Sequence, residues 1–248
     1  MNKLKVIAVT IATGNHMKHY ERLKNSLRKF HSEEELPLYL IDEKEIKTVP
    51  DDSFFYRATP IIGHKFLQDF DVVIKLDADQ IITGDISHVW EGDFDVAVVN
   101  NSNPREFKTY PVSVWDVHPL AYINCGFVVM KSKVFAKHWL DLCYSDHFVN
   151  YQMKEQDLLN IMVFYGNYTV KFLDATPKWH GLIAKQYWSK CILKDGKLIL
   201  PKNDEWPKDE DKEIVCLHWA GGNDVNKGNY KLYFKEEVSK WIDKLIKE

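Results

Sequence analysis

Residues 71–86 constrain the fold more than any other stretch, because a buried run there ends in two carboxylates. The run Val72-Val73-Ile74-Lys75-Leu76 is short, β-branched and almost wholly apolar, as expected of a strand covered on both faces. It passes directly into Asp77-Ala78-Asp79 and then into a second apolar pair, Ile81-Ile82. Residues i and i+2 of extended chain point the same way, so Asp77 and Asp79 can converge on one point just past the strand. Two carboxylates held close repel each other unless a cation lies between them. Oxygen ligands favour a hard divalent ion, and such an ion typically completes its shell with substrate phosphates.

Asp-x-Asp is weak by itself and recurs at Asp69/Asp71, Asp93/Asp95 and Asp209/Asp211. The last of these lies in a polar run, and the other two precede apolar runs, where carboxylates sit in turns. Only Asp77/Asp79 follows a buried strand, and ligand sites of open α/β sheets lie outside the carboxyl ends of strands.

The 248 residues suit one α/β domain, residues 1–248, with a nucleotide-binding half over about 1–99 and an acceptor-binding half over about 100–248. A net charge of −3 argues against a nucleic-acid partner. Eight Trp and twelve Tyr exceed the needs of a core, and their flat amphipathic rings suit sugar or base faces. Cys125, Cys143, Cys191 and Cys216 are widely spaced without Cys-x-x-Cys, which reads as reduced, buried thiols. Lys3 and Lys5 before an apolar run resemble a leader, but the run is short and a charged helix follows, so a first strand is expected. No stretch approaches the roughly 18 apolar residues of a membrane span. A cytoplasmic protein is the resulting expectation; its oligomeric state is not legible.

Taken in order, residues 5–13 read as a strand, 16–30 as a helix and 36–41 as a second strand, a β-α-β unit with a parallel pair. The Thr13-Gly14-Asn15 junction places backbone N–H groups near a helix N-terminus, where a nucleotide could dock. It is neither a P-loop nor Gly-x-Gly-x-x-Gly. A helix over 56–69, with Pro60 in its first turn, leads into the acidic strand. Arg57 there could reach a diphosphate. Strands are expected at 94–99, 121–131, 168–173 and 214–219, and helices at 132–144 (capped by Ser132) and 154–164. Asp195-Gly196 marks a hairpin within 191–200. Residues 100–119 and 178–190 read as long aromatic loops, suited to walls for an acceptor. The C-terminal helix carries Tyr230, Phe234, Val238, Trp241 and Leu245 on one face.

Four separated features need a common explanation: Asp77-Ala78-Asp79, Asn124-Cys125-Gly126, Glu155-Gln156-Asp157, and His218 before Gly221-Gly222. A histidine completing an aspartate pair suits Mn²⁺, which accepts imidazole better than Mg²⁺ does. In this order and spacing they resemble the GT-A nucleotide-sugar glycosyltransferases, above all the family-8-like group of glycogenin and bacterial galactosyltransferases. Leu-Asp-Ala-Asp with Gly-Asp-Ile resembles that family's metal motif, Tyr-Ile-Asn-Cys-Gly-Phe its Asn-x-Gly strand, Glu-Gln-Asp-Leu-Leu-Asn its DQDxLN helix, and Leu-His-Trp-Ala-Gly its C-terminal HFxG. The chain departs from the family at Glu155, where Asp is usual. It departs again after Gly222, where Lys227 follows without the family's Pro-Trp.

The resemblance implies a GT-A fold, a Rossmann-like open mixed sheet flanked by helices. It implies transfer of a sugar from a UDP-sugar to a carbohydrate acceptor, with retention of configuration. Asp77, Asp79 and His218 would ligate Mn²⁺ (or Mg²⁺). The backbone at Thr10, Ala12, Thr13 and Gly14 would meet the base, with Ala78 also at the donor. Asn124 and Gln156 would line the sugar and reacting carbon, and Gly221 and Gly222 would admit the phosphates. Proton-transfer chemistry does not choose the stereochemistry: Glu155 or Asp157 could serve as the base of an inverting enzyme, Gln156 as the polarising group of a retaining one. Two other classes remain. A sugar-nucleotide nucleotidyltransferase would carry a Gly-rich basic loop after the first strand, which Thr13-Gly14-Asn15-His16 lacks. A non-catalytic carbohydrate binder would use Trp115, Trp179 and Trp188 as stacking platforms.

Overall fold

The computed structural model describes residues 4–46, 57–100, 121–146, 148, 151, 153–181, 185–218 and 229–247. Strand β1 (Val6–Ile11) leads through a turn of 3₁₀ helix at Gly14–His16 into α1 (Met17–Arg28) and β2 (Leu38–Ile41). A short α2 (Glu43–Ile46) and α3 (Ala58–Phe66) precede β3 (Val72–Leu76), with Pro60 in the first turn of α3 as expected. After the acidic turn come β4 (Ile81–Ile82), β5 (Val96–Asn100) and β6 (Ile123–Met130). Helix α4 (Lys133–Cys143) is capped by the Ser132 hydroxyl, which accepts from the Phe135 N–H at 3.1 Å. It is followed by α5 (Glu155–Tyr165) and β7 (Val170–Phe172).

The main sheet has the order β2-β1-β3-β6-β5-β7. Strands β1, β2, β3, β5 and β7 run one way, and β6 runs against both its neighbours. The β-α-β unit read from the sequence is therefore parallel. Because β6 is reversed, its amino end lies beside the carboxyl end of β3.

Alternation along β1 explains the two cores. Ile7 and Val9 face α3, α4 and α5, where they join Ile62, Phe135 and Trp139. Val6 and Ala8 face α1, where they join Leu23 and Leu27. All five residues of β3 are buried, Lys75 among them.

A smaller sheet of order β8-β11-β10-β9 comprises β8 (Lys178–Trp179), β9 (Ile192–Lys194), β10 (Lys197–Leu200) and β11 (Lys212–Ile214). Asp195 and Gly196 both adopt positive φ in the turn between β9 and β10, the hairpin their sequence announced. With α6 (Lys185–Trp188) and the C-terminal α7 (Glu236–Leu245) this sheet encloses a third core.

Two sequence expectations are corrected here. Segment 178–190 is not an open aromatic loop: it contains β8 and α6, and Trp179 and Trp188 are 2% and 3% exposed in the third core. They cannot offer a stacking face, because their rings are spent on Trp206, Tyr233 and Phe234. The run 214–219 is not one strand. The chain leaves the small sheet at Ile214 and re-pairs as β12 (Cys216–Leu217) with β4. Trp115 and most of segment 100–119 lie outside the described residues. All four cysteines are buried and unpaired with one another, as expected. Among the described residues no helix is long and apolar enough to cross a membrane.

Candidate active site

The acidic turn follows the carboxyl end of β3 and is held from three sides. The Asp77 N–H donates to the Gly126 carbonyl at 2.8 Å, and the Gln80 side chain donates to that same oxygen at 3.0 Å. The third side is the β4–β12 pair, with Leu217 opposite Ile81 and Cys216 opposite Ile82. The next residue along, His218, thereby arrives across from the turn that carries Asp79. A 140-residue sequence separation is thus closed by four paired residues.

The resulting cluster is compact. His218 Nε2 lies 3.3 Å from Asp77 Oδ2 and 3.4 Å from Asp79 Oδ1, and the three ligand atoms fall within 4.8 Å of one another. The His218 side chain is 1% exposed, yet its Nε2 has no hydrogen-bond partner among the described residues. A buried, orphaned imidazole nitrogen facing two carboxylates fits a divalent ion of the Mn²⁺ or Mg²⁺ kind.

The electrostatics agree. Burial would lower the His218 pKa, but the two carboxylates outweigh it and push it up to about 9. Burial would raise Asp77, but the Lys75 ammonium and His218 hold its carboxyl well below the usual range. A ligating imidazole must shed its proton, so metal binding at neutral pH releases one. Between pH 6 and 8, below the folded pKa, affinity for Mn²⁺ is expected to rise about tenfold per pH unit, measurable by isothermal titration in two buffers of different ionisation enthalpy.

Gly126 makes this closeness possible. A Cβ there would stand 2.2 Å from His218 Cε1, 2.7 Å from Asn124 Oδ1 and 2.8 Å from Asp77 Oδ2. The backbone comes so near because β6 bulges. Its pairing with β5 jumps from Val98↔Val128 to Val99↔Asn124, which throws Cys125, Gly126 and Phe127 out of that ladder. The Asn124 side chain then accepts from the Gly126 N–H at 2.7 Å and stiffens the bulge.

Beside the cluster opens a cleft of about 350 Å³. One wall is the end of β1 with Ala12, Thr13 and His16, the floor holds Lys75 and Asp77, and the far wall is Asn124–Gly126 with Met153–Gln156. It lies outside the carboxyl ends of β1 and β3, where open α/β sheets bind ligands.

No protein-family model and no curated protein matches this chain. Solved structures do. A glycosyltransferase involved in the glycosylation of the major capsid of PBCV-1 aligns over 92% of this chain and 99% of its own, with TM-score 0.58 and 12% identity. The galactosyltransferase LgtC, solved in complex with donor and acceptor sugar analogs, aligns over 95% of this chain and 99% of its own, with TM-score 0.56 and 12% identity. The chain has the GT-A fold. The bifunctional glycosyltransferase WbbM aligns over 98% of this chain and 52% of its own, with TM-score 0.57 and 13% identity. The chain thus spans about half the length of WbbM, and 46% of the GlyE glycosyltransferase of Streptococcus pneumoniae, where the TM-score is 0.45.

Within this GT-A sheet, the Glu155-Gln156-Asp157 triplet is more than a dipole-friendly helix start. Gln156 Oε1 accepts from the Cys125 N–H at 2.9 Å. Asn160, one turn on, bonds both the N–H and the carbonyl of Ile123. The first turns of α5 are therefore laced to the bulged strand. Glu155 also lines the cleft, its two oxygens taking the Thr59 N–H at 3.0 Å and hydroxyl at 2.7 Å. Burial pushes its carboxyl up to about 7.

Two candidates require correction. Asp157 is wholly buried and accepts from the Tyr122 hydroxyl at 2.6 Å and the Met153 N–H at 2.9 Å. It is not among the residues that line the cleft. Arg57 does not line the cleft: its Nε donates to the Cys143 carbonyl at 2.8 Å, and its guanidinium lies 4.4 Å over the Phe148 ring. Thr10 is fully buried inside β1, while Gly14 is exposed with positive φ, beside the cleft wall at Thr13. Ala78 is half-buried between the two aspartates. Gly221, Gly222 and Lys227 lie outside the described residues. The residues missed were Gln80, Thr59 and Lys75. Only Lys75 carried a signal, as a lysine within an apolar strand two residues before Asp77.

Proposed function

We propose that this chain is a metal-dependent glycosyltransferase, which moves a sugar from a nucleotide-sugar donor to a carbohydrate acceptor. The observation that carries this reading is the Asp77–Asp79–His218 cluster beside a cleft at the carboxyl end of β3 in a GT-A fold. A bound divalent ion would supply Lewis acidity at the leaving diphosphate. Asp77 Oδ2, Asp79 Oδ1 and His218 Nε2 would hold it.

The protein's own groups do the rest. Ala12 and Thr13, which line the cleft, support the base just past the end of β1. Gln156 lines the cleft, its oxygen held by the Cys125 N–H and its amide also bonded to the Tyr122 hydroxyl, and on the motif resemblance it meets the reacting carbon. Asn124 lines the same end. Retention over inversion follows from the motif resemblance. Glu155 is the remaining cleft carboxylate, and its oxygens are engaged by Thr59. The uridine base and Mn²⁺ follow from the motif resemblance.

A thermal-shift series with UDP, ADP and GDP tests this reading, each with and without Mn²⁺. UDP with Mn²⁺ should raise Tm by several degrees, since a ligand at 100 times its Kd adds about 2.7 kcal/mol. Equal shifts for all three nucleotides would remove the uridine assignment. No shift with any nucleotide and ion would remove the donor site.

A further inference from the structure

The metal cluster and the helix α5 contacts leave Lys75, a charged group lining the cleft, without a role. Lys75 is 6% exposed, in the middle of the central strand, with Ile74 and Leu76 fully buried on either side. An ammonium offers three N–H donors. One goes to Asp77 Oδ1, and a second to the Cys125 carbonyl at 3.0 Å on the bulged strand β6. The third has no protein partner among the described residues, although Lys75 lines the cleft. Among the described residues it makes no hydrogen bond to the nearby Glu155, whose oxygens receive the Thr59 N–H and hydroxyl. A buried ammonium N–H is costly to leave unpaired, so a ligand atom is the natural acceptor.

The position narrows what that ligand atom is. On the proposed reading the base side of the cleft is formed by Ala12 and Thr13 just past β1, and the ion-binding atoms lie at the Asp77–His218 side. Lys75 bridges Asp77 and the Cys125 carbonyl, so it joins the ion-binding side to the Asn124–Gln156 wall that lines the sugar on the proposed reading. Its positive charge is already matched by Asp77. What remains to be satisfied is a donor N–H, not a charge, and a neutral hydroxyl suffices.

We propose that Lys75 is a sugar-binding residue: its third N–H donates to a hydroxyl of the transferred sugar. This rests on the nucleotide-sugar reading of the cleft and extends it to the sugar itself. Lys75 then distinguishes a nucleotide sugar from the bare nucleotide, while Asp77, Asp79 and His218 serve both equally.

Wild type, Lys75→Met and Lys75→Gln are titrated calorimetrically with UDP, UDP-glucose and UDP-galactose, all in Mn²⁺. The readout is the ratio of UDP-sugar to UDP affinity, in which any effect of the lost charge on the ion cancels. Losing a hydrogen bond from a charged group should lower that ratio about tenfold or more in Lys75→Met, for the sugar that wild type binds better. Lys75→Gln keeps an N–H that reaches Asp77 and Cys125, protects folding, and should lower the ratio in the same direction. An unchanged ratio in the folded variants would overturn the proposal and leave the donor site standing. Failure of wild type to bind UDP or either sugar would overturn the donor reading itself, and this proposal with it.

Discussion

Asp79→Asn is expected to lower metal-dependent turnover of the nucleotide sugar by about 1,000-fold or more, with a smaller loss of ion-free stability than Asp77→Asn. The size follows from what the ion supplies: stabilising charge on the leaving diphosphate is worth several kcal/mol, and each 1.36 kcal/mol is tenfold in rate. Asparagine preserves the shape and removes one of two anionic ligands. Asp79 is the cleaner target of the pair. Asp77 also satisfies Lys75, whose side chain is 8% exposed. Removing its charge strands that ammonium at a cost of about 3 kcal/mol, the low end for a buried pair because the Asp77 side chain is 38% exposed. Asp77→Asn should therefore lose activity and much melting temperature, whereas Asp79→Asn loses activity with a smaller melting loss, since it gives up only its pairing with His218. Parallel turnover and melting measurements separate the two, and equal melting losses would contradict the assigned pairing.

Gly126→Ala is expected to be nearly as damaging, although it removes no functional group. The added methyl would stand 2.2 Å from His218 Cε1, and His218 is 3% exposed with nowhere to retreat. The constraint is space rather than backbone conformation. Relief must come from displacing His218, Asn124 or Asp77, and each displacement opens the cluster. Overpacking of this kind costs about 1–3 kcal/mol of stability. Because a first ligand is moved, metal affinity should fall by at least the roughly 100-fold seen when outer-shell partners are lost. A Gly126→Ala protein with wild-type Mn²⁺ affinity would show that the cluster does not bind the ion in this geometry.

Much of this site was legible locally. The buried strand before Asp77, the Asp195-Gly196 hairpin, the Ser132 cap and the β1-α1-β2 unit all follow from short-range patterns, and each is present. The Asp77–Asp79–His218 association was legible only through the motif resemblance. No periodicity places His218 beside a turn 140 residues earlier; the β4–β12 pair does so, and two-residue strands leave no pattern to read. The break at Val215 was invisible for the same reason. Its carbonyl accepts from the Thr83 N–H at 2.9 Å, a purely tertiary choice within a continuous apolar run. Trp179 and Trp188 looked like exposed platforms because aromatic, interrupted sequence reads as loop, whereas the third core claims them. Glu155 and Asp157 looked alike as candidate bases. Only the partners, Thr59 for one and Tyr122 for the other, separate a cleft-lining carboxylate from one that does not line the cleft.

The central claim is that one divalent ion sits between Asp77, Asp79 and His218 and holds the donor's diphosphate. Its most direct test is electron paramagnetic resonance of Mn²⁺ titrated into wild type, Asp79→Asn and His218→Ala, each with and without UDP. The account predicts one bound Mn²⁺ per chain in wild type, bound more tightly when UDP is present, and loss of that site in both variants. Wild-type Mn²⁺ binding in folded Asp79→Asn and His218→Ala would contradict it.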